Sequence, residues 1–268
     1  NGMFYTYDGA AGWHQTLTGI GQINAIAVNP KERCLIYTAI ENRVYKSADC
    51  SRNWNYQLIE TMEKPKDQIT ALAIDYFNTS LIYAGTSAGG LFLSRDAGFS
   101  WQNIIFFNDR LVKLILNPGN SGIIYAATAS KGIFKSDNGG RAWSQLITKE
   151  IEDKGNTLVY RELIADPTVA DGLLYASQYG LLRSADGGRS WQEIKLLTQP
   201  SASAIYSIAI NPKNGQEIYY GISNILYRSV DGGKNWITRN LPSTRAARFL
   251  IIDPVNTNMV YLGVKKIK

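Results

Sequence analysis

Residues 181–191 have the sequence LLRSADGGRSW, in which an apolar segment leads into Ser184, Asp186, Gly188 and Trp191. Four further segments fit the same S-x-D-x-G-x-x-W pattern with at most one departure: RVYKSADCSRNW from Arg43, LFLSRDAGFSW from Leu91, IFKSDNGGRAW from Ile133 and ILYRSVDGGKNW from Ile225. A degraded copy, MFYTYDGAAGW, begins at Met3. We call each copy of the pattern a box. A sequence pattern that recurs at a regular period indicates a repeat protein, and the period indicates its architecture.

Each box contributes one acidic or amide residue and one tryptophan. These are Asp8 and Trp13, Asp49 and Trp54, Asp96 and Trp101, Asn138 and Trp143, Asp186 and Trp191, and Asp231 and Trp236. An Asp followed by Gly between two strands is typical of a turn in which the carboxylate accepts backbone N–H groups and Gly supplies a positive φ. We expect the tryptophan to cover apolar surface while its indole N–H meets a carbonyl. The residue types therefore predict a structural role for the boxes.

Two apolar segments precede each complete box, as in SIAINP at 207–212 and IYYGI at 218–222. Short runs rich in Ile, Val, Leu and Tyr, punctuated by Gly, Pro, Asn and Asp, indicate strands and turns. With the box strand and the segment after the tryptophan, this makes four strands per repeat, and the repeats recur every 41 to 48 residues. The pattern predicts an all-β fold, a six-bladed β-propeller of four-stranded blades.

The two ends of the chain stand at nearly the same phase of the repeat. The last strand pair ends at VYLGV, 260–264, without its box, and the chain opens on a box without its first two strands. We expect the N-terminus to supply the outer strands of the last blade, which closes the ring and pairs exposed strand edges within a single domain over 1–268. The alternative is a fragment of a larger propeller.

Both cysteines fall in one repeat. Cys34 and Cys50 are symmetric in sequence about Asn42, the middle of a predicted hairpin turn, and such residues face each other within disulfide reach. The same box has Ser51 in place of its glycine, and a covalent bridge could hold a turn that lacks it. We predict a Cys34–Cys50 disulfide, which also favours an oxidising compartment. Two free thiols are the alternative.

Composition argues against several functions. The net charge is +6, yet no Lys/Arg-dense stretch or nucleic-acid motif is present, and no apolar run is long enough to span a membrane. His14 is the only histidine, follows a box tryptophan and is expected to be an ordinary strand residue, so a Ser-His-Asp triad is disfavoured. No cysteine–histidine cluster has metal-ligand spacing. We expect no cofactor, no metal and no nucleic-acid partner.

The first strand of each propeller blade lines the central channel, so aligning these strands predicts which side chains face it. The alignment brings Arg161, Tyr206 and Arg248 to equivalent positions, with Lys113 and Glu162 one residue further on. The predicted binding residues are Arg110, Lys113, Arg161, Glu162, Tyr206, Arg245 and Arg248. A buried charge without a partner is costly, so this set is either ion-paired and solvated or binds an anionic partner. The loops at 60–68 and 148–156 are the alternative location.

The boxes resemble those of the Asp-box (BNR) repeat family over essentially the full chain. That family includes sialidases, sortilin-type receptors, xyloglucan hydrolases and photosystem II assembly factors, and the I/V-Y-A-G-T…S-x-D-G-G-x-x-W cadence resembles the last three. The resemblance implies a propeller whose boxes lie on the rim, away from the functional centre. Sialidases carry an F/Y-R-I-P segment, whereas the nearest string here, residues 160–163, lacks the proline.

The resemblance and the residues together favour a non-catalytic binding or assembly scaffold outside the cytoplasm, either periplasmic, secreted or surface-attached. Such a scaffold would recognise a protein partner with an acidic surface across one propeller face. The alternative is a carbohydrate-active protein, either a degenerate glycosidase or a lectin, because a pair of carboxylates distant in sequence could still meet in the fold.

Overall fold

A computed structural model describes residues 2–7, 11–59, 67–147, 151, 155–199 and 201–266 of the chain. The structure is all-β and built from antiparallel strand pairs, so the predicted fold class is confirmed at this level. Two compact units divide the chain: Asn1–Ala129 with Phe134–Ser144, and Ser130–Ile133 with Gln145–Lys268. That the two make up a single domain stays a prediction.

The first unit contains a two-stranded sheet, β1–β2, and three four-stranded sheets in its described residues. The strands are β1 Met3–Tyr5, β2 His14–Thr16, β3 Ile23–Val28, β4 Ile36–Ile40, β5 Arg43–Ser47, β6 Asn55–Leu58, β7 Ile69–Ile74, β8 Ile82–Thr86, β9 Gly90–Ser94, β10 Gln102–Phe106, β11 Leu111–Asn117, β12 Asn120–Thr128, β13 Ile133–Ser136 and β14 Ser144–Gln145. Only Ile133 and Gln145 of the third sheet fall in the second unit.

The second unit contains two four-stranded sheets and the two-stranded sheet β23–β24 in its described residues. Its strands are β15 Tyr160–Ala165, β16 Leu173–Ser177, β17 Leu181–Ser184, β18 Gln192–Ile194, β19 Ser207–Asn211, β20 Asn214–Gly221, β21 Ile225–Ser229, β22 Ile237–Asn240, β23 Ala246–Ile252 and β24 Val260–Lys265. Each four-stranded sheet follows sequence order, as the four-strand repeat predicted. The predicted joining of β1–β2 with β23–β24 into one blade, and the count of six blades, stay predictions.

The second strand of each four-stranded sheet lies in the core. Its tyrosine side chains are almost fully buried: Tyr37, Tyr83, Tyr125, Tyr175 and Tyr220. Within each unit the first strands pack against one another, β3 on β7 on β11 and β15 on β19 on β23. Strand β19 is buried along its whole length, whereas β3 and β23 each expose part of one apolar face, at Ile26 and Val28 and at Phe249 and Ile251.

The five complete boxes share one hydrogen-bonded turn. In the Ser94 box, Asp96 Oδ1 accepts the Ser94 hydroxyl and the Ser100 N–H, each at 2.8 Å, and Asp96 Oδ2 accepts the Ser100 hydroxyl at 2.6 Å. The Gly98 N–H donates back to Ser94 Oγ at 2.8 Å. Asp49, Asn138, Asp186 and Asp231 each accept the equivalent bonds through Oδ1. This is the turn chemistry that the residue types predicted; Asp8 of the degraded box lies outside the described residues.

The indole groups follow the prediction only in part. The Nε1–H of Trp54, Trp143 and Trp236 donates to the carbonyl of Ser51, Gly140 and Lys195, respectively. The equivalent atoms of Trp101 and Trp191 are buried without a hydrogen-bond partner among the described residues, so the expectation of a carbonyl partner is wrong for those two. Trp13 is largely exposed. Apolar cover is therefore the shared role of the packed indoles, and the hydrogen bond is secondary.

Cys34 and Cys50 are joined by a disulfide. The hairpin register differs from the predicted symmetry by one residue, because Ile40 pairs with Arg43 across a two-residue turn and Ile36 pairs with Ser47. Strict continuation of that register would set Cys34 opposite Asp49. The bond forms to Cys50 because the chain leaves the strand after Ser47 and enters the box turn, where the Cys50 N–H donates to the Cys34 carbonyl at 3.1 Å.

Candidate functional site

The first strands of the sheets share a bulge close to where they begin. The pairing register shifts between residues 23 and 25, 69 and 71, 111 and 113, 160 and 162, and 247 and 249. The extra residues are Asn24, Thr70, Val112, Arg161 and Arg248. These are the positions that the internal alignment made equivalent. A bulge changes the direction of its side chain relative to the sheet. Each of these repeats therefore has a position at which a functional side chain could be presented.

The predicted binding residues divide between the units. In the first unit Arg110 is exposed just before β11, with its backbone N–H donated to Asp109 at 2.9 Å, and Lys113 is half-buried on β11. The second unit holds Arg161, Glu162, Tyr206, Arg245 and Arg248. We therefore build the candidate site from the five residues of the second unit.

Neighbouring strands position these five residues. Strand β15 carries Arg161 and Glu162 and packs against β19, which follows Tyr206; β19 in turn packs against β23, which carries Arg248. The Ser207 hydroxyl donates to the carbonyl of Ala247 at 2.9 Å, which fixes β19 to β23 directly beside Tyr206 and Arg248. The backbone N–H of Tyr206 donates a hydrogen bond to the carbonyl of Gly221 at 2.8 Å. The starting ends of three adjacent strands thus present two bulge arginines and a tyrosine.

The arginines of this site form no ion pair with a carboxylate of the described residues. Nε of Arg161 is buried without a hydrogen-bond partner in the described part of the chain. Arg245 and Arg248 are exposed, and among the described residues neither guanidinium group forms a hydrogen bond or an ion pair. Glu162 accepts the Tyr160 hydroxyl at 3.2 Å. Burial, with the field of Glu162 second, raises the pKa of Tyr160 well above its ordinary value, so this phenol is a neutral donor at all ordinary pH values.

Other carboxylates of the second unit serve turns and ion pairs elsewhere. Asp166 accepts Arg183 Nε at 3.0 Å, and Glu217 accepts Arg228 Nη2 at 2.6 Å. Asp186 and Asp231 hold box turns. The guanidinium groups of the candidate site are therefore left as donors with a fork geometry suited to a carboxylate.

The opposite ends of the same three strands are apolar. A cleft of about 370 Å³ lies there, and its lining includes Ile164, Pro167, Ile208, Ile251 and Pro254. One end of this strand group is therefore cationic and the other hydrophobic, which gives a partner two chemically distinct places to bind.

The first unit contains a cleft that the sequence did not reveal. It has a volume of about 320 Å³ and lies between the sheet β3–β6 and the box turn that follows β9. Lys46 and Phe99 contribute to its lining. Nothing in the repeat pattern distinguishes Lys46, because three other boxes also have a basic residue immediately before their serine.

No group of three or more His, Cys, Asp or Glu side chains in the described ranges is arranged to hold a metal ion. Within the same residues, no helix has the length and apolar character needed to cross a membrane.

Solved structures similar to this chain are propellers of differing function. A GH74 xyloglucanase from Xanthomonas campestris is 18% identical over 98% of this chain and 47% of its own, with a TM-score of 0.80. The extracellular domain of a one component system from B. thetaiotaomicron is 18% identical over 98% of this chain and 37% of its own, TM-score 0.74. YCF48 from Cyanidioschyzon merolae is 14% identical over 92% of this chain and 81% of its own, TM-score 0.69.

At such identities the likeness shows the fold alone, and it confirms the predicted β-propeller class. The chain spans about half the length of two GH74 enzymes that it matches and about a third of an ancestral one. No protein-family profile and no curated protein matches the chain.

Proposed function

We propose that this protein is a non-catalytic binding module that recognises an acidic segment of a protein partner at the starting ends of β15, β19 and β23. The observation that carries the proposal is the buried, unpartnered Nε of Arg161, beside exposed arginines that form no ion pair with any described residue. Leaving a guanidinium donor buried and unsatisfied is costly, and a partner carboxylate would satisfy it. Tyr206 would add contact area between Arg161 and Arg248.

The disulfide supports a location outside the cytoplasm, because such bonds persist in oxidising compartments. The shared box turn supports membership of the Asp-box repeat family. Extracellular placement is also stated for the one component system domain with the same fold. We therefore propose an extracytoplasmic scaffold.

A carbohydrate-active protein is the second candidate, and the fold shared with a xyloglucanase favours it. Catalysis of glycoside hydrolysis needs two carboxyl groups facing one bond. In the described part of the second unit, Asp166, Glu217, Asp186 and Asp231 are engaged in ion pairs or turns, which supports a non-catalytic role there. Release of reducing sugar from xyloglucan by the purified chain would contradict the non-catalytic proposal.

The binding proposal is tested by replacing the two bulge arginines. In Arg161→Gln/Arg248→Gln we expect the affinity for Glu-rich peptides to fall by roughly tenfold or more, since each lost charge-assisted contact contributes about 1.5–3 kcal/mol. The matched control is Lys234→Gln/Arg239→Gln, which removes the same charge from an exposed position in the turn after β21 and from an exposed position of β22. Binding is measured by calorimetry at two salt concentrations, because screening weakens a charged contact.

Arg248 is exposed, so Arg248→Gln alone is expected to fold normally and to show part of the loss. Equal binding by the arginine variants and the control would place the partner site elsewhere. Unfolding of the double variant together with unchanged binding by Arg248→Gln would make these arginines structural and refute the proposal.

A further inference from the structure

The residue immediately before the box serine has a repeated electrostatic role. It is basic in four of the five complete boxes: Lys46, Lys135, Arg183 and Arg228. Three of these pair with a carboxylate of their own sheet: Lys135 with Asp137 at 2.8 Å, Arg183 with Asp166, and Arg228 with Glu217 at 2.6 Å. The position therefore normally combines a cation with an acidic partner.

Lys46 is the exception. Its ammonium group donates to the backbone carbonyl of Ala97 at 3.3 Å and lies 5.0 Å from the ring centroid of Phe99 and 5.5 Å from that of Tyr37. It forms no ion pair with a carboxylate in the described residues. Cation–π contacts and one carbonyl leave an ammonium group with unused donor capacity, because it carries three N–H bonds.

The space beside Lys46 is open. The cleft of about 320 Å³ lies at the lower end of the size range of small-molecule sites. Strand pairing places Asn55 opposite Lys46 and Gln57 opposite Val44, so both amides share the sheet face of the lysine. On the other side Phe99, which is 67% exposed, follows the box turn. The lining thus includes one cation, two amides and one exposed aromatic face, together with Asp49, whose carboxylate oxygens accept hydrogen bonds within the box turn.

We propose that this cleft binds a carboxylate-bearing pyranose, a hexuronic acid residue of a glycan. The sugar carboxylate would take the place of the acidic partner that Lys46 lacks. Asn55 and Gln57 would hydrogen-bond the ring hydroxyls, since amides both donate and accept. The apolar C–H face of the pyranose would pack on Phe99, as flat apolar groups do on exposed rings. This site is independent of the arginine site in the second unit.

The geometry favours a compact ligand over a peptide. A peptide that adds to β6 would bond its backbone in the plane of the sheet, along the strand edge. Lys46, Asn55 and Gln57 instead project from the face of the sheet, and the neighbouring turn at Ala97–Phe99 confines the space in front of them. A ligand that contacts all three side chains must therefore enter between the sheet and the turn.

The test is calorimetric titration of the full chain with oligogalacturonate and with the neutral oligosaccharide cellotetraose. The wild type is expected to bind the acidic oligomer and not the neutral one, with an affinity that falls as salt is raised. Lys46→Leu is the informative variant, because Leu93 occupies the same place in the next sheet and the fold accepts it there. We expect at least a tenfold loss of affinity, as for removal of one charge-assisted contact. Lys265→Gln, outside the cleft, should bind as the wild type does.

Phe99→Ala separates the contribution of stacking from that of charge. It should lower the affinity for the acidic oligomer without changing the salt dependence of that affinity. The proposal is overturned if no uronic oligomer binds at millimolar concentration, or if Lys46→Leu binds it as well as the wild type does. Equal affinity for the neutral oligosaccharide would also overturn it. If a Glu-rich peptide binds more tightly than the uronic oligomer and its binding depends on Lys46, the cleft is a peptide site and the proposal of a sugar ligand is refuted.

Discussion

Ser51 occupies a backbone position where the other complete boxes have glycine. Its φ is +72°, in the left-handed region, and the equivalent residues are Gly98, Gly140, Gly188 and Gly233. An L-residue in that region costs about 1–2 kcal/mol. Its hydroxyl is also buried without a hydrogen-bond partner among the described residues. The left-handed backbone and the unsatisfied hydroxyl of Ser51 therefore both lower the stability of the folded protein.

We predict that Ser51→Gly stabilises the protein by about 1 kcal/mol, because relief of strain exceeds the added flexibility of the unfolded chain. Urea denaturation measures the change in the free energy of unfolding. Ala97→Gly is the matched comparison: Ala97 has a φ of +57° at the preceding turn position, where three boxes have glycine, but carries no hydroxyl. It should stabilise by a smaller amount. A destabilised Ser51→Gly would show that the serine is favourable in the turn.

At the scale of the element, the disulfide and the strained turn belong to the same hairpin. Cys50 has a φ of +58° where Gly139, Gly187 and Gly232 stand in other boxes, and its bond to Cys34 fixes this turn to the start of β4. The bond closes a separation of 16 residues. Cross-linking a loop of that size contributes about 3 kcal/mol in the chain-entropy account.

We therefore predict that Cys34→Ala/Cys50→Ala lowers the free energy of unfolding by about 2–4 kcal/mol. Cys34→Ala/Cys50→Gly should recover about 1 kcal/mol of that loss, since glycine adopts the left-handed turn at little cost. Thermal denaturation under non-reducing conditions compares the three proteins. Equal stability of the two double variants would contradict the strain argument, and a wild type insensitive to reductant would contradict the contribution of the bond.

How much of each element the sequence could predict depends on the range of its interactions. The box turn depends on bonds within five residues, as between Asp96 and Ser100, so residue types alone predicted it. Alignment of the repeats placed Arg161 and Arg248 at equivalent positions, but it did not predict the bulge at which the structure places them. The sequence did not single out Lys46, because the acidic partner of the equivalent cation differs between repeats. Asp137, Asp166 and Glu217 form these ion pairs from three different places in the repeat. Only the structure shows that, in the part of the chain it describes, no carboxylate forms an ion pair with Lys46.

For the whole molecule, the repeat determines where function can be located. Every four-stranded sheet has the same turn and the same buried tyrosine, and such uniformity provides stability without specificity. We therefore propose that function depends on departures from the repeat, at Arg161 and Arg248 on the first strands and at Lys46 beside the first complete box. This is why a shared fold with both an enzyme and YCF48 leaves the activity undetermined, while individual unpaired charges suggest partners.

The acid stability of the whole protein should depend on the box carboxylates. Hydrogen bonds from Ser100 lower the pKa of Asp96 from its ordinary 3.8 to about 2, and those from Ser190 do the same for Asp186. Bonds from Asn53 and Asn235 lower the pKa of Asp49 and of Asp231 to about 2. A depressed folded-state pKa gives stability that is present above about pH 4 and is lost as the pH falls toward 2.

The Asn138 box suggests the variant that tests this. Asn138 accepts the same backbone bond as the aspartates but does not titrate, and Ala142 stands where other boxes have Ser or Asn. We predict the effect of combining Asp96→Asn/Ser100→Ala with Asp186→Asn/Ser190→Ala in one variant. On unfolding between pH 4 and 2, this variant should take up fewer protons than the wild type does, by up to about two. Its melting temperature should then fall less steeply with acid than that of the wild type, although it starts lower at pH 6. A parallel pair of pH profiles would show that these turns do not set the acid sensitivity.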